Sequence, residues 1–431
     1  VTRLLATGTL VIAVHGWLGA LGPAGERPVA FLGLYAAAFA LYLLGWNLVR
    51  AEVRIGRGRG RGIGLVILAV GLLARVAALP MPVSDDVYRY LWEGRLQALG
   101  GNPYLVAPSS GAAYLPPGAS ADPYRGRVNH PELTTIYPPL AELAFRAVTA
   151  VRYSALAWKL FVLIGEAALV SGLLGLLRCR GRPASEILLY LWNPLPVIAF
   201  AGEGHVDVLM LAAAWLGILA LSGERRILAG LGWGASIAAK VISAAYLPLF
   251  LRRGGVRAIL AAFLLLLVLA LPYRAAGFGL IEVLLRFGHR MPHNGSLQPL
   301  LAGALGNDAA LAVAAALYFA LLGWIWRRDP DPIEGGLGLT GGFLLLSPSV
   351  HPWYVTWVVP FLVFRRSGMW VLFSGTVGLA YAAYGFRALT GTFHLPLWLR
   401  CVEYAPVYLW GAFELVRGRS ARRARLSRPA S

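Results

Sequence analysis

Charge and cysteine are scarce in this chain. Only 14% of its 431 residues are charged, and 20 acidic side chains stand against 39 basic ones. The two cysteines, Cys179 beside a run of arginines and Cys401 inside an apolar stretch, are too few and too ill-placed for a disulfide framework or a thiolate metal site. Redox chemistry is therefore not indicated. Apolar residues make up the rest: 58% of the chain is hydrophobic and the mean hydropathy is +0.65, outside any soluble globular class. An integral membrane protein is expected. Fourteen Trp and 18 Tyr, many near the ends of apolar runs, suit a belt with rings in lipid and polar tips at the headgroups. The net charge of +19 does not imply a nucleic-acid partner, because the arginines fall in short clusters between apolar runs. Such clusters read as topology signals and as anchors to anionic membrane lipids.

A bilayer core of about 30 Å takes about 20 apolar residues per helix. Twelve runs qualify, near 4–21, 29–49, 63–80, 156–177, 184–203, 206–222, 256–272, 300–326, 335–350, 353–364, 368–386 and 396–416. The first resembles a secretory signal but lacks a small-x-small cleavage site, so it reads as a retained span. Clustered Lys and Arg stay cytoplasmic, which puts 50–62, 178–182, 224–226, 252–257, 327–328, 365–366 and the basic tail on one side. Two segments must then bend to this rule. Residues 137–152 become an amphipathic helix at the outer surface. Residues 227–250, with arginines at both ends, become two re-entrant half-helices whose bend protein must bury. The expected organisation is one transmembrane domain over 1–417, with 81–155 as an outer loop bearing interfacial helices, and a basic cytoplasmic tail over 418–431. No tandem repeat is visible and no soluble domain is expected after the last span. Both termini are expected inside, and six of seven histidines then fall on the outer face.

The outer loop opens with SDDVYRYLWEGRLQALGGNPY, residues 84–104. Asp85 and Asp86, adjacent at a membrane boundary, are costly to desolvate unless paired or used. Such carboxylates can serve as a general base or, through hard oxygen ligands, hold a divalent cation such as Mg or Mn. The bland reading is a helix cap made by Ser84 and Asp85. The helix that follows is expected to lie flat, with Val87, Leu91, Leu96 and Leu99 toward lipid and Arg89, Glu93 and Arg95 in water. Glu203, His205 and Asp207 put three ionisable groups into five residues between apolar runs, suited to binding a sugar, a phosphate or a metal, or to a plain polar turn. Arg286, His289, Arg290, His293 and Asn294 bring positive charge to an outer loop against the inside rule, suited to gripping the phosphate of a lipid carrier or simply to attraction by anionic headgroups. Pro292 argues against a helical zinc pair from His289 and His293. His351 sits at an outer turn ahead of Trp353, Tyr354 and Trp357, rings that suit a sugar or a prenyl chain as well as an ordinary aromatic belt. Lys240, inside the re-entrant pair, either steadies a carboxylate or, more simply, snorkels.

Read together, residues 84–108, NHPELTTIYPPLAEL (129–143), WNPLPVIAFAGEGHVDVLM (192–210), ASIAAKVISAAYLPLFLRR (235–253) and SPSVHPWYVTWVVP (347–360) resemble the GT-C superfamily of polyprenyl-phosphate-sugar-dependent glycosyltransferases. The closest likeness is to its bacterial GT87-like mannosyltransferase branch. The first loop is also similar, more distantly, to that of GPI mannosyltransferase I. The resemblance implies a GT-C-like all-α bundle of about 12–14 transmembrane helices, a base at Asp85 or Asp86, and a G-H-x-D turn at Gly204, His205 and Asp207. Tyr137, in the Y-x-P-L segment, and Arg89 join the expected substrate-binding set.

The expected activity is transfer of a hexose, mannose by the resemblance, from a polyprenyl-phosphate donor to a glycan or glycolipid acceptor. It would proceed by inversion, at the outer face of a bacterial plasma membrane. No cofactor is certain; a divalent ion among Asp85, Asp86 and Asp207 is the one considered. No Gly-rich phosphate loop with a following lysine suggests a nucleotide sugar. A lipid-carrier transporter or flippase is the rival class, and a polymerase or ligase using diphosphate-linked glycans shares the topology. Transporters usually show internal repeats and midplane charge; here the polar residues crowd one face.

Overall fold

A computed structural model describes residues 2–54, 61–277, 279–290 and 293–426, with side chains at all of these except 61, 286–290 and 418–426. Among the described residues the chain is helical, the sole extended pairing being an isolated bridge of His293 and Asn294 with Ser349. It is an all-α polytopic membrane protein. Among the described residues six helices are long and apolar enough to cross a bilayer: Thr2–Ala20, Pro28–Arg54, Ala155–Cys179, Val241–Ala276, Asn307–Arg328 and Gly368–Thr390. A seventh candidate is Ala184–Leu191 with Pro194–Gly202, bent by 59°.

Most of the difference from twelve apolar runs lies in helices that are short or broken; the 396–416 run instead falls in one long helix, Leu397–Leu426, which carries Arg400, Glu403 and Glu414 and is not among the six. Gly62–Ala78, Asp207–Ser222 and Pro332–Leu346 are apolar but short. The 300–326 run divides at Gly306 (φ 83°) into Leu297–Leu305 and Asn307–Arg328. The 353–364 run keeps only two four-residue helices, Pro352–Val355 and Val359–Leu362. Val355, Val358, Leu362 and Val363 there are fully buried, so the irregular backbone is shielded by protein and not by lipid.

Residues 227–250 do fold as a helix, a break and a return. Arg226–Ala239 stops where Lys240 adopts extended backbone (φ −157°, ψ 122°). The chain turns back through a tight Val241–Tyr246 helix into Leu247–Ala270, which kinks at Gly255. Glycine makes the hairpin compact: a Cβ on Gly230 would lie 2.1 Å from the Ala258 carbonyl oxygen.

The first loop departs from its expected form. Asp86–Ala98 does not lie flat between water and lipid; Val87, Leu91, Leu96, Arg89 and Glu93 are all buried inside the protein, and only Arg95 of the expected wet face is exposed. The reason is its partner, Pro139–Val151, which approaches so closely that a Cβ on Gly94 would meet the Phe145 carbonyl oxygen at 2.4 Å. Tyr90 stacks on Phe145 with centroids 4.6 Å apart. Burial of Arg89 and Glu93 is tolerable because they pair with each other at 3.0 Å.

Charge inside the bundle is likewise paired. Arg75 holds Glu166 through two hydrogen bonds of 2.7 and 2.6 Å, and Tyr190 donates to the same carboxylate. The basic clusters meet at one end: Arg180 pairs with Asp331, Arg365 with Glu334, and Arg182 donates to the Phe364 carbonyl.

Candidate active site

A cavity of about 720 Å3 opens at the other end of the bundle. Its polar corner begins where Ser84 donates its backbone N–H to the Glu203 carbonyl, bringing the start of Asp86–Ala98 against the 203–207 turn. Asp85 occupies the N-cap position but makes no side-chain cap bond, so capping does not use its carboxylate. Asp86 is fixed more firmly: Asn129 donates to Oδ1 at 2.9 Å, and His205 Nδ1 lies 3.7 Å from Oδ2. Burial and then the charge of Asp86 push the Asp85 pKa up, opposed by Arg387 and His205.

The 203–207 turn owes its shape to a bulged helix. Pro194 has no N–H to continue the preceding helix, Asn193 caps the next one through Leu195 N–H, and the chain then widens into a π turn over Val197–Gly202. Gly204 takes φ 79°, a conformation that side chains rarely adopt. Glu203, His205 and Asp207 are thereby presented side by side. His205 Nε2 lies 3.2 Å from Glu203 Oε2, and Tyr381 donates to that same oxygen. Asp207 accepts from Lys240 Nζ and from Trp357 Nε1, both at 2.6 Å. Lys240 therefore steadies a carboxylate and does not snorkel away; its ammonium also stands over the Tyr354 and Trp357 rings.

Five rings form a continuous stack along one wall: His205, Trp353, His351, His293 and Phe393, with successive centroids 3.9, 4.5, 4.7 and 4.7 Å apart. This corrects the expectation that Trp353 offers a face to a sugar. His205 and His351 cover both of its faces. Burial drives the pKa of His293 down to about 4 and that of His351 well below the usual imidazole range, so both rings are neutral at physiological pH. His293 Nε2 and His351 Nδ1 are buried with no hydrogen-bond partner among the described residues. The lining also has an apolar part, with Ile136, Val241, Ile242, Leu284 and Phe343.

Of the residues singled out from sequence, Asp85, Asp86, Arg89, Tyr137, Asp207, Lys240, His293, His351, Trp353 and Tyr354 line this cavity. Glu203 and His205 sit buried just behind Asp86. Arg89 is engaged elsewhere: it donates to Glu93 and to the carbonyls of Asn129, His130 and Leu133, so it braces that loop and is not a free phosphate ligand. Asn294 points away from the cavity, toward the Val350 carbonyl and Glu403. The side chains of Arg286, His289 and Arg290 lie outside the described residues. Asp207 is poorly suited to a metal because a lysine and an indole N–H already satisfy Oδ1. Among the described residues no group of three or more His, Cys, Asp or Glu side chains is arranged to hold an ion.

Asn129, Tyr384 and Arg387 line the cavity without having been singled out. Arg387 had a legible signal, a lone arginine just past a span on the face that basic clusters avoid. Asn129 had none.

The fold and cavity together define a helical membrane protein whose paired carboxylates face a hollow that is lined by polar groups and, to a larger extent, by apolar ones. Residues 5–252 match the model of the alpha-(1->6)-mannopyranosyltransferase family, N-terminal domain. The chain belongs to this family, in agreement with the mannosyltransferase likeness of its motifs. No curated protein and no solved structure matches it. The matched part carries Asp85, Asp86, the 203–207 turn with His205, and Lys240; His293, His351, Trp353 and Arg387 come from beyond it.

Proposed function

We propose that this protein transfers one mannosyl residue from a polyprenyl-phosphate carrier to a hydroxyl of a lipid-linked glycan or cell-envelope glycolipid. Transfer takes place on the non-cytoplasmic side of a bacterial plasma membrane, with both termini cytoplasmic. The observation that carries this reading is one cavity lined both by a carboxylate pair, of which Asp86 is fixed, and by apolar side chains. A prenyl chain suits the wall of Ile136, Ile242, Leu284 and Phe343, and the acceptor hydroxyl comes to the carboxylates.

Asp86 is the stronger candidate for the base. Asn129 donates to it and His205 stands 3.7 Å away, so its carboxylate is held in place, whereas Asp85 makes no side-chain cap bond and its pKa is raised. As Asp86 takes the hydroxyl proton, the acceptor oxygen bonds to the anomeric carbon from the side opposite the phosphate. The bond from that carbon to the phosphate oxygen breaks, and the electron pair leaves with polyprenyl phosphate. Arg387 and Lys240 are the cavity cations that would offset this charge. The neutral His293 and His351 can offer hydrogen bonds to it but no positive charge. No step is routed through a metal ion.

The test is turnover by purified protein in detergent, where no two sides exist for a transporter to connect. Polyprenyl-phosphate mannose, glucose and arabinose are offered in parallel, and mannose is expected to be consumed. Asp86→Asn should lower kcat by about 10²- to 10⁴-fold with KM little changed. Normal rates in both Asp85→Asn and Asp86→Asn would overturn the assignment of the base.

A further inference from the structure

A second cavity, of about 180 Å3, lies at the end of the bundle opposite the active site. Its placement follows from the Pro28–Arg54 helix, whose start packs on Tyr384 and Gly385 at the active-site end. Arg50 comes 22 residues beyond Pro28, roughly 33 Å along the axis and about one hydrocarbon thickness away. One wall is a single stripe of that helix, Trp46, Val49, Arg50, Val53 and Arg54, recurring every three to four residues. Leu188 and Leu189 face it, and Arg366 closes the rim.

The charge in this cavity is unbalanced. Its one acidic lining residue, Glu186, already pairs with Arg182 and lies 3.5 Å from Arg366. Arg50 stands over the Trp46 ring, 5.3 Å from its centroid, and neither Arg50 nor Arg54 has an acidic partner among the described residues. Guanidinium groups at headgroup depth, above a strip of tryptophan, valine and leucine, match a molecule with a phosphate at one end and hydrocarbon at the other. We propose that this cavity binds one anionic phospholipid from the leaflet opposite the active site. Its phosphate lies among Arg50, Arg54 and Arg366, and an acyl chain runs along Val49, Val53 and Leu188. A zwitterionic lipid is disfavoured because its ammonium would meet the same arginines.

Native mass spectrometry of the full chain, titrated with phosphatidylglycerol, phosphatidylcholine and glycerol 3-phosphate, tests this. Phosphatidylglycerol should be retained in preference to the other two. Arg50→Gln with Arg54→Gln should weaken it roughly fivefold per arginine removed, with mannosyl transfer in detergent unchanged. The charge-matched Arg327→Gln with Arg328→Gln should bind as wild type. Val53→Trp, which fills the cavity and keeps every charge, should lose the lipid as well. Equal retention of phosphatidylcholine, or equal losses in the two double arginine variants, would reduce the effect to diffuse attraction and overturn the proposal. Displacement by glycerol 3-phosphate at comparable concentration would instead mark a site for free phosphate.

Discussion

Arg75 and Glu166 show what one residue can decide inside this bundle. Both are almost fully buried, and the two hydrogen bonds between them, with Tyr190 and the carbonyls of Gly71 and Leu191 around them, satisfy both charges. Removing one partner strands the other. Arg75→Met should destabilise the protein by about 3–5 kcal/mol, whereas Arg75→Met with Glu166→Leu should recover most of that; thermal unfolding in detergent compares them. Glu142 is a second case. It is buried against Glu93, with Thr135 and Gln97 donating to it, and burial followed by the charge of Glu93 raises its pKa well above the usual 4.5. The folded state thus keeps a proton that the unfolded chain releases near pH 4.5. Stability from this group is full below that pH and declines as pH rises through the folded pKa. Glu142→Gln, which keeps the shape and a donor toward Glu93, should flatten the fall in Tm as pH rises above the usual 4.5.

At the scale of elements, the site depends on two helical pairs that meet without room to spare. Asp86–Ala98 and Pro139–Val151 touch at Gly94, where any side chain meets backbone. Gly94→Val should push the pair apart, tilt Asp86 out of reach of Asn129 and His205, and lower kcat more than it raises KM. Steady-state kinetics beside a folding check would show this. The re-entrant hairpin acts through its break. Lys240 reaches Asp207 only because the helix ends at Ala239, and Asp207 is 1% exposed. Lys240→Met leaves that carboxylate with the Trp357 N–H alone. A loss of both stability and activity is expected, with partial recovery in Lys240→Met, Asp207→Asn.

At the scale of the whole molecule, polarity is divided between the two ends. Arginines gather at one, and the imidazoles and carboxylates of the cavity at the other. The proposed orientation predicts opposite labelling of two single cysteines. In intact cells, with every other cysteine including Cys401 replaced by serine, a membrane-impermeant maleimide should reach Ser120→Cys, in the exposed 112–127 loop, and not the native Cys179. In inverted vesicles the pattern should reverse. Labelling of both from one side would overturn the assigned topology.

Much of this was legible along the chain because it depends on local chemistry. Apolar runs, arginine clusters and the Asp85–Asp86 and 203–207 motifs report membrane burial, a shared end and a polar site, and those segments do converge on one cavity. Partnership was not legible, because a side chain's role depends on what stands opposite it in space. Nothing in the spacing of Arg89 shows that loop carbonyls take its donors. Nor does the order of residues show that Trp353 is enclosed by two imidazoles contributed from positions 205 and 351. The sequence by itself determined a helical membrane protein with acidic and imidazole groups confined to a few turns, since hydrophobic transfer and charge cost act residue by residue. Only the tertiary structure decided which of those groups pair, which stay neutral and which face the hollow, because Coulomb energy and desolvation depend on distances of a few ångströms between residues far apart in the chain.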